Sequence, residues 1–378
     1  MASRKPAGRK KALGIAGAVI GLGAAISVGA AVGIRKYAVG RVRLHPDPEA
    51  NEPFGTLHGR PLTVPADDGL PLHVELDGPE DAPLTMVFCH GYTLSQHAWH
   101  YQRRALADAV RMVFWDQRSH GRSGRSKPTH ATIDQTGADL QAVLRATVPA
   151  DHPVVLVGHS MGGMTVMALA EQRPELFGAP GTAQGTAPGA AAPGGGKIVG
   201  VALINTSAGD LKEMTLGLPL VLSKAMRPIT PGVLRSLGKR AQLIDQARQF
   251  GADIAFMVTR RMAFADKNVS PAVVDFLEQM IRSTPIDVIA EFYPALIAHD
   301  KMGALEVVGR VPAVVMTGGA DRLTPSAHGA AIAAALPGAE LIQIPAAGHV
   351  LMLEHPDVVT DALHGLLAQV PTDTRESA

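Results

Sequence analysis

Cysteine is almost absent from this sequence, since Cys89 is the only one among 378 residues. No intrachain disulfide can form, so the fold cannot depend on an oxidising compartment. Cys89 follows the apolar residues Met86 to Phe88, and this position favours a small buried side chain over a reactive thiol. Histidine and cysteine show no spacing that resembles a zinc site, and nothing else in the sequence indicates a metal or an organic cofactor.

The sequence also lacks an excess of charge of either sign, because 35 basic and 34 acidic residues leave a formal net charge of +1. A nucleic-acid-binding surface needs a clustered basic excess, so nucleic acid is excluded as a partner. Hydrophobic residues make up 46% of the chain. That content is sufficient for a large buried core, and the length allows one large domain with insertions.

Charged residues are missing from one long stretch, residues 12–34, which is rich in Ala, Gly, Ile and Val. As a helix it would be about 34 Å long, enough to cross a bilayer core of about 30 Å. We therefore predict a basic tail (residues 1–11) and then a single transmembrane anchor, with the membrane as a partner. Flanking basic residues favour, weakly, an extracytoplasmic globular domain. A cleaved signal peptide, which would give a secreted protein, and a buried or disordered segment stay open as alternatives.

Short apolar runs of the kind found in buried strands alternate with helical patterns along most of the remaining chain. This alternation predicts an α/β fold with a mostly parallel, eight-stranded sheet and helices on both faces. The predicted strands are Leu57–Val64, Leu72–Leu76, Leu84–Phe88, Val110–Trp115, Val154–Val157, Ile198–Ile204, Val311–Thr317 and Leu341–Ile344. The predicted helices between them are Ser95–Ala109, Ile133–Thr147, Met161–Gln172, Ser326–Leu336 and Asp357–Leu367.

Two stretches interrupt the alternation. Residues 178–196 are almost entirely Gly, Ala, Pro, Thr and Gln, a composition that predicts a flexible insertion. Residues 209–300 show no convincing strand pattern and contain several Leu- and Met-rich helical pieces, which predict an inserted helical cap. The predicted organisation is a linker at 35–56, a core at 57–208 and 301–370, the cap between the two core segments, and a tail at 371–378.

The most informative motif for chemistry is Gly158-His159-Ser160-Met161-Gly162, which follows an apolar strand pattern and precedes a helical one. A serine hydroxyl is a poor nucleophile unless a base takes its proton and its approach is unhindered. A sharp strand-to-helix turn lifts Ser160 clear of the backbone, and the two glycines permit the close packing that such a turn needs. The motif therefore predicts Ser160 as a nucleophile, with the backbone N–H of Met161 directed at the reacting oxygen.

With four further segments, this motif resembles the α/β-hydrolase family with a helical cap. His90-Gly91-Tyr92 is similar to the family's oxyanion turn, and residues 116–123 are similar to its D-x-R-G-x-G-x-S loop, with Ser119 where glycine is usual. Residues 318–325 match the turn that carries the acid, and Gly348-His349 matches the position of the histidine. The order serine, acid, histidine is the one expected of this fold. The resemblance implies Ser160 as nucleophile, Asp321 as acid and His349 as base, an oxyanion hole of the Tyr92 and Met161 N–H groups, and supporting turns at His90, Gly91, Gly158 and Gly162.

Several residues compete for these roles. Asp116 could be the acid but is expected instead to order its own loop with Arg118. Asp210 follows the strand Ile198–Ile204, where some family members carry the acid, while Asn205 at the strand end cannot carry the charge. Among the other histidines, His90 and His120 are expected to be structural hydrogen-bonding groups, and His159 shares the serine's turn and cannot easily point back at it.

The resemblance implies a serine hydrolase that cleaves a small-molecule acyl ester through an acyl-enzyme. Dehalogenases and epoxide hydrolases of this fold use an aspartate nucleophile, so Ser160 argues against both. Met161 departs from the tryptophan usual in proline iminopeptidases. The apolar cap and the predicted anchor favour a lipid-like acyl chain. Hydrolysis of an amide or a C–C bond by the same triad and a non-catalytic scaffold stay open, and the oligomeric state is left undetermined.

Overall fold

A computed structural model of the chain describes residues 46–178, 195–211 and 256–370. Eight strands lie within this part of the chain: β1 (Arg60–Pro65), β2 (Pro71–Asp77), β3 (Thr85–Cys89), β4 (Arg111–Trp115), β5 (Pro153–His159), β6 (Lys197–Ile204), β7 (Ala313–Gly318) and β8 (Glu340–Ile344). They form one sheet in the order β1-β2-β4-β3-β5-β6-β7-β8. Among these strands, β2 alone runs in the direction opposite to the other seven. The predicted mostly parallel, eight-stranded sheet is confirmed.

Helices connect and cover the strands. They are α1 (His100–Leu106), α2 (Ile133–Thr147), α3 (Met161–Gln172), α4 (Pro271–Ser283), α5 (Ile286–Ile297), α6 (Leu305–Val308), α7 (Ser326–Ala335), α8 (Leu351–Glu354) and α9 (Pro356–Gln369). Residues 256–263 are also helical, and 3-10 turns occupy Gln96–Trp99, Pro128–His130, Pro174–Leu176 and Met302–Ala304. Between β6 and β7, the described residues contain helices and no strand, as the sequence pattern predicts.

The central strands are apolar without alternation because both faces of the sheet are covered. Every residue of β3 and of β5 is buried. Successive side chains point to opposite faces, so Val155 and Val157 join a cluster that includes residues of α1, α4 and α9. Leu156 joins a second cluster, with residues of α2 and α3. These two apolar clusters, one on each face of the sheet, fix the position and direction of β5 and of the turn that follows it.

Helix α5 lies over the beginning of α3. Its buried residues Val288, Phe292 and Leu296 pack with Met161 and Met164 of α3 in a third apolar cluster. Each such side chain contributes about 1.5–3 kcal/mol when fully buried. This packing holds α5 directly above the residues that follow Ser160.

The described part of the predicted linker, residues 46–56, lies against the domain. The Phe54 ring stacks on Phe276 of α4 with ring centroids 4.6 Å apart. Glu52 Oε1 lies 2.7 Å from His100 Nε2. An aromatic ring and a carboxylate with partners on two helices account for this ordered contact, which the irregular sequence of the segment did not indicate.

Several predicted segments lie outside the described residues. They are the basic tail 1–11, the anchor 12–34, residues 35–45 of the linker, nearly all of the insertion 178–196, residues 212–255 of the cap and the tail 371–378. Within the described ranges, no helix has the length and apolar character needed to span a bilayer.

Candidate active site

The serine of the Gly158–Gly162 motif occupies the junction between β5 and α3. Ser160 has φ 52° and ψ −119°, a strained conformation for a residue other than glycine. Its backbone N–H donates to Ile204 O at 3.0 Å, which ties the turn to the neighbouring strand. His159 and Met161 on either side are buried, whereas Ser160 is partly exposed. The turn therefore presents this side chain away from the sheet.

Glycines permit the close approach of backbone around this turn. A Cβ on Gly158 would lie 2.7 Å from the Gly163 backbone. One on Gly162 would lie 2.5 Å from the carbonyl carbon of Cys89 at the end of β3. A Cβ on Gly91 would lie 3.2 Å from Ser160 Cβ. The turn after β3 and the turn after β5 are thus in contact at positions that a side chain would block.

His349 and Asp321 form a buried hydrogen-bonded pair. The His349 Nδ1 atom lies 2.8 Å from Asp321 Oδ2, and each residue is 6% exposed. The other carboxylate oxygen, Oδ1, accepts from the backbone N–H groups of Leu323 at 2.7 Å and Thr324 at 3.0 Å, and the Thr324 hydroxyl donates to Oδ2 at 2.7 Å. With Nδ1–H donating to the carboxylate, Nε2 is the imidazole nitrogen that carries the lone pair.

Electrostatics keep the Asp321 carboxyl ionised. Burial acts to raise the pKa of Asp321, but the neighbouring His349 and the hydrogen bonds from Thr324 act in the opposite direction and leave that pKa below its ordinary value. A carboxylate that accepts several hydrogen bonds is stabilised in its charged form. Asp321 can therefore hold one imidazole tautomer and balance a positive charge on the ring.

One cavity brings the Ser160 and His349 side chains together. It has a volume of about 240 Å³ and is lined by both residues. Asp321 is not among the lining residues and lies behind His349, whereas Thr324 reaches the wall. The remaining wall is largely apolar and comes from both the core and the helices between β6 and β7; it includes Leu94, Met164, Val258, Leu277, Ile281 and Ile289.

Of the two predicted oxyanion donors, Tyr92 lines this cavity and Met161 is not among its lining residues. Met161 directly follows Ser160 as the first residue of α3, so its N–H has no intrahelical acceptor. The Tyr92 hydroxyl donates to Ile289 O of α5. Burial, together with Tyr293 nearby, raises the pKa of the Tyr92 phenol. The phenol therefore stays protonated and acts as a bridge from the turn after β3 to α5.

The other motif histidines are neutral hydrogen-bonding groups. His90 Nε2 accepts from Gln117 N at 2.9 Å, and burial lowers the pKa of His90 to about 4. His120 Nδ1 lies 2.9 Å from Arg118 O, and burial lowers the pKa of His120 to about 3. His159 Nε2 lies 2.9 Å from His349 O, and burial likewise lowers its pKa to about 3. Each ring supports a backbone turn and adds no charge at neutral pH.

The expected partnership of Asp116 with Arg118 is wrong. Asp116 accepts instead from the backbone N–H groups of Gln96 at 2.8 Å and Arg122 at 2.9 Å. Arg118 Nε donates to Asp139 at 2.6 Å. The two side chains point in different directions from the turn, so each finds a partner distant in sequence. Asp116 still orders its loop, through backbone donors, while the other competing acid, Asp210, is exposed.

Two supports of the His349 turn were missed by sequence reasoning. The Glu354 carboxylate accepts from Gly348 N at 2.6 Å and from Ala265 N and Asp266 N at 2.7 Å. The Asn205 amide contacts the backbone of Gly348 and His349. The only sequence signal for Glu354 is a carboxylate a few residues after the histidine, which is weak. Asn205 was weighed only for the role of the catalytic acid, which it cannot fill. In residues 46–178, 195–211 and 256–370, no cluster of three or more His, Cys, Asp or Glu side chains is arranged to hold a metal.

The chain is similar to curated proteins over alignments of about a quarter of its length. Epoxide hydrolase 1 of Caenorhabditis elegans is 34% identical over 108 residues, 28% of this chain and 26% of the relative. Lipase LipV of Mycobacterium tuberculosis is 38% identical over 104 residues, 28% of this chain and 38% of the lipase. These alignments span well under half of either relative.

Solved structures match over most of the chain. An esterase from Thermogutta terrifontis has a TM-score of 0.56 at 23% identity and covers 82% of this chain and 98% of its own. An esterase from a Rhodococcus species has a TM-score of 0.62 at 16% identity, with 82% and 99% covered. At such identities the likeness shows the fold alone. A model of the alpha/beta hydrolase family matches residues 86–362, well over half of the chain, and the chain therefore belongs to the alpha/beta hydrolase family.

Proposed function

We propose that this protein is a serine hydrolase that cleaves carboxylic esters, with lipid-like acyl chains, through an acyl-enzyme. One observation carries the proposal: Ser160, on its strained turn, and the Asp321-bonded His349 open on the same apolar cavity. A nucleophile, a base within its reach and a group that orients the base are the parts that such chemistry needs.

The steps follow from where protons can go. His349 Nε2 removes the proton of Ser160 as the hydroxyl oxygen bonds to the ester carbonyl carbon. Asp321 holds the tautomer and stabilises the imidazolium, and the N–H groups of Met161 and Tyr92 stabilise the oxyanion. The imidazolium then protonates the departing alcohol. Water, deprotonated by the same imidazole, releases the acid and restores Ser160.

The cavity suggests the acyl length. A cavity of about 150 Å³ accommodates benzene, so the 240 Å³ here corresponds to roughly ten non-hydrogen atoms on the same scale. Its apolar wall would take an acyl chain of about six to ten carbons, with the alcohol left outside. Two relatives named as lipases, from Mycobacterium tuberculosis and, as an sn-1-specific diacylglycerol lipase, from Mus musculus, support a lipid-like ester. We do not extend the activity of the epoxide hydrolase relatives to this chain, because epoxide hydrolysis in this fold uses an aspartate nucleophile and this chain has Ser160 in its place.

The test is hydrolysis of p-nitrophenyl esters with acyl chains of two to sixteen carbons by the full-length protein in detergent. We expect an optimum at intermediate length, no activity in Ser160→Ala and normal activity in the matched control Ser207→Ala. An optimum at acetate would contradict the lipid-like chain. Fluorophosphonate labelling of Ser160 without ester hydrolysis would favour amide or C–C bond hydrolysis. The absence of both ester hydrolysis and fluorophosphonate labelling would favour a non-catalytic scaffold.

We further propose that residues 12–34 anchor the protein in a membrane, with the hydrolase domain on the extracytoplasmic side. The uncharged run and its basic flanks support this arrangement. Carbonate extraction and protease accessibility of closed vesicles test it. Release of a shortened protein into the medium would indicate signal cleavage instead.

A further inference from the structure

Asn205 has an unusual backbone conformation at the end of β6. It is 2% exposed and has φ 42°, in the left-handed region. Asparagine tolerates this region better than most residues, but glycine tolerates it best. We therefore expect a buried asparagine in this backbone conformation only where its side-chain amide makes hydrogen bonds that the structure needs.

The Asn205 side chain bonds two separate turns. Its Nδ2 donates to Gly348 O at 2.8 Å and to His349 O at 2.7 Å. Its Oδ1 accepts from Gly318 N at 2.8 Å. The orientation of the amide follows from these partners, since the reverse would set an oxygen against two carbonyls. One planar group therefore joins the His349 backbone to the start of the turn that carries Asp321.

The backbone around Asn205 reaches the other parts of the site. The Thr324 hydroxyl, which has a single proton to donate, lies within hydrogen-bond distance of both Asn205 O, at 3.0 Å, and Asp321 Oδ2, at 2.7 Å. On the other side, Ser160 N donates to Ile204 O at 3.0 Å and Thr206 Oγ1 donates to Ser160 O at 2.7 Å. The end of β6 is thus bonded to the turns of the serine, the acid and the histidine.

We propose that Asn205 is a positioning residue that fixes His349 between Asp321 and Ser160. The inference rests on the proposed function and adds to it a residue that does not touch substrate. Reaction geometry is sensitive to displacement, since about 1 Å can change a rate by about 10²-fold. Without the amide, Gly348 O and His349 O each lose a donor, and the backbone that carries the imidazole loses its link to the end of β6.

Two substitutions test this role. Asn205→Gly removes the amide while suiting the left-handed backbone. Asn205→Asp keeps the shape but replaces the donor with a carboxylate that faces two carbonyls. For both variants we expect kcat to fall by about 30- to 100-fold, with KM changed less than about threefold because the cavity wall is intact.

A second readout separates positioning from mere stability. The rate at which a fluorophosphonate labels Ser160 depends on the base and is measured as a function of pH. We expect Asn205→Gly to lower this rate at least tenfold and to move its pH midpoint. The matched control is Ser207→Ala. Ser207 is equally buried at the same strand end, but its hydroxyl bonds Gly209 O and His328 Nδ1. This control should lose stability yet keep the wild-type labelling rate and midpoint.

The outcomes are distinguishable. Wild-type labelling by both Asn205 variants, or the same change in Ser207→Ala, would overturn the positioning role. A glycine variant too unstable to fold would assign Asn205 to stability alone and would also overturn it. Labelling of wild-type protein that hydrolyses no ester would remove the proposed ester substrate but leave the role of Asn205 standing. Absence of wild-type labelling would overturn both.

Discussion

Replacing Gly162 with alanine sets two effects against each other at the start of α3. Helix propensity favours alanine over glycine by about 1 kcal/mol. Packing opposes it, because the new Cβ would lie 2.5 Å from the carbonyl carbon of Cys89, closer still to its oxygen, and 2.8 Å from His90 O. Real Cβ atoms essentially never come within 3.0 Å of such neighbours. The obstructing atoms are backbone at the end of β3, so no side chain can rotate away.

The magnitude follows from the kind of atom that must move. Overpacking a core by a methyl group costs about 1–3 kcal/mol, and backbone obstruction places Gly162→Ala at the upper end. After the gain in helix propensity, we expect a net loss of about 2 kcal/mol in the free energy of unfolding. Any displacement of α3 also moves Ser160 and the Met161 N–H, so we expect ester hydrolysis to fall by about 10²-fold.

Urea unfolding measures the stability term, with Gly365→Ala as the matched control. Gly365 lies in α9, and its added Cβ would have nothing within 4 Å. Propensity alone acts there, and we expect stabilisation of about 0.5–1 kcal/mol. The packing argument is refuted if Gly162→Ala is as stable as the wild type. It is refuted equally if both variants change stability by the same amount.

Two further predictions concern buried groups away from the cavity. Burial acts to raise the pKa of Glu75, but its hydrogen bonds and the Arg103 guanidinium at 2.8 Å outweigh burial and leave that pKa well below 4.5. A depressed folded pKa gives stability that is present above the unfolded pKa and is lost as the pH falls. Glu75→Gln should therefore lower the free energy of unfolding, measured by urea titration, by about 3 kcal/mol at pH 7 and by clearly less at pH 3. An equal loss at both pH values would contradict this. Burial raises the pKa of Cys89 to about 12, so iodoacetamide at pH 8 should leave the native protein unmodified and alkylate it once in urea; rapid alkylation of native protein would disprove the burial argument.

The sheet could be predicted because burial on both faces leaves a simple pattern in the sequence. The run Val154–Val157 is apolar at every position, and all of it lies within β5. Helix boundaries were harder to predict from the sequence. The predicted helix Ser95–Ala109 begins as a 3-10 turn and ends as α1 at Leu106. Its first N–H, that of Gln96, donates to Asp116, a partner that no local pattern specifies.

Side-chain contacts in the site also differ in whether the sequence could predict them. The order of motifs implied that Asp321 and His349 would act together, and the structure gives their contact. The partner of Arg118 could not be found in this way, because Asp139 lies 21 residues away and is brought near only by the packing of α2. Asn205 was overlooked for a different reason. Its amide carries no charge, and its use depends on two turns that meet only in the folded chain.

The surroundings of the His349–Asp321 pair explain how a buried site can tolerate a new charge. His159, whose ring centroid lies 4.8 Å from that of His349, is kept neutral by a pKa lowered to about 3. His90 is neutral for the same reason. When His349 takes a proton, the new cation therefore meets no positive ring beside it. It faces the Asp321 carboxylate, whose own hydrogen bonds from Thr324 keep it ionised. Burial thus serves two purposes here: it neutralises the surrounding imidazoles and it strengthens the one charge pair that the proposed reaction needs.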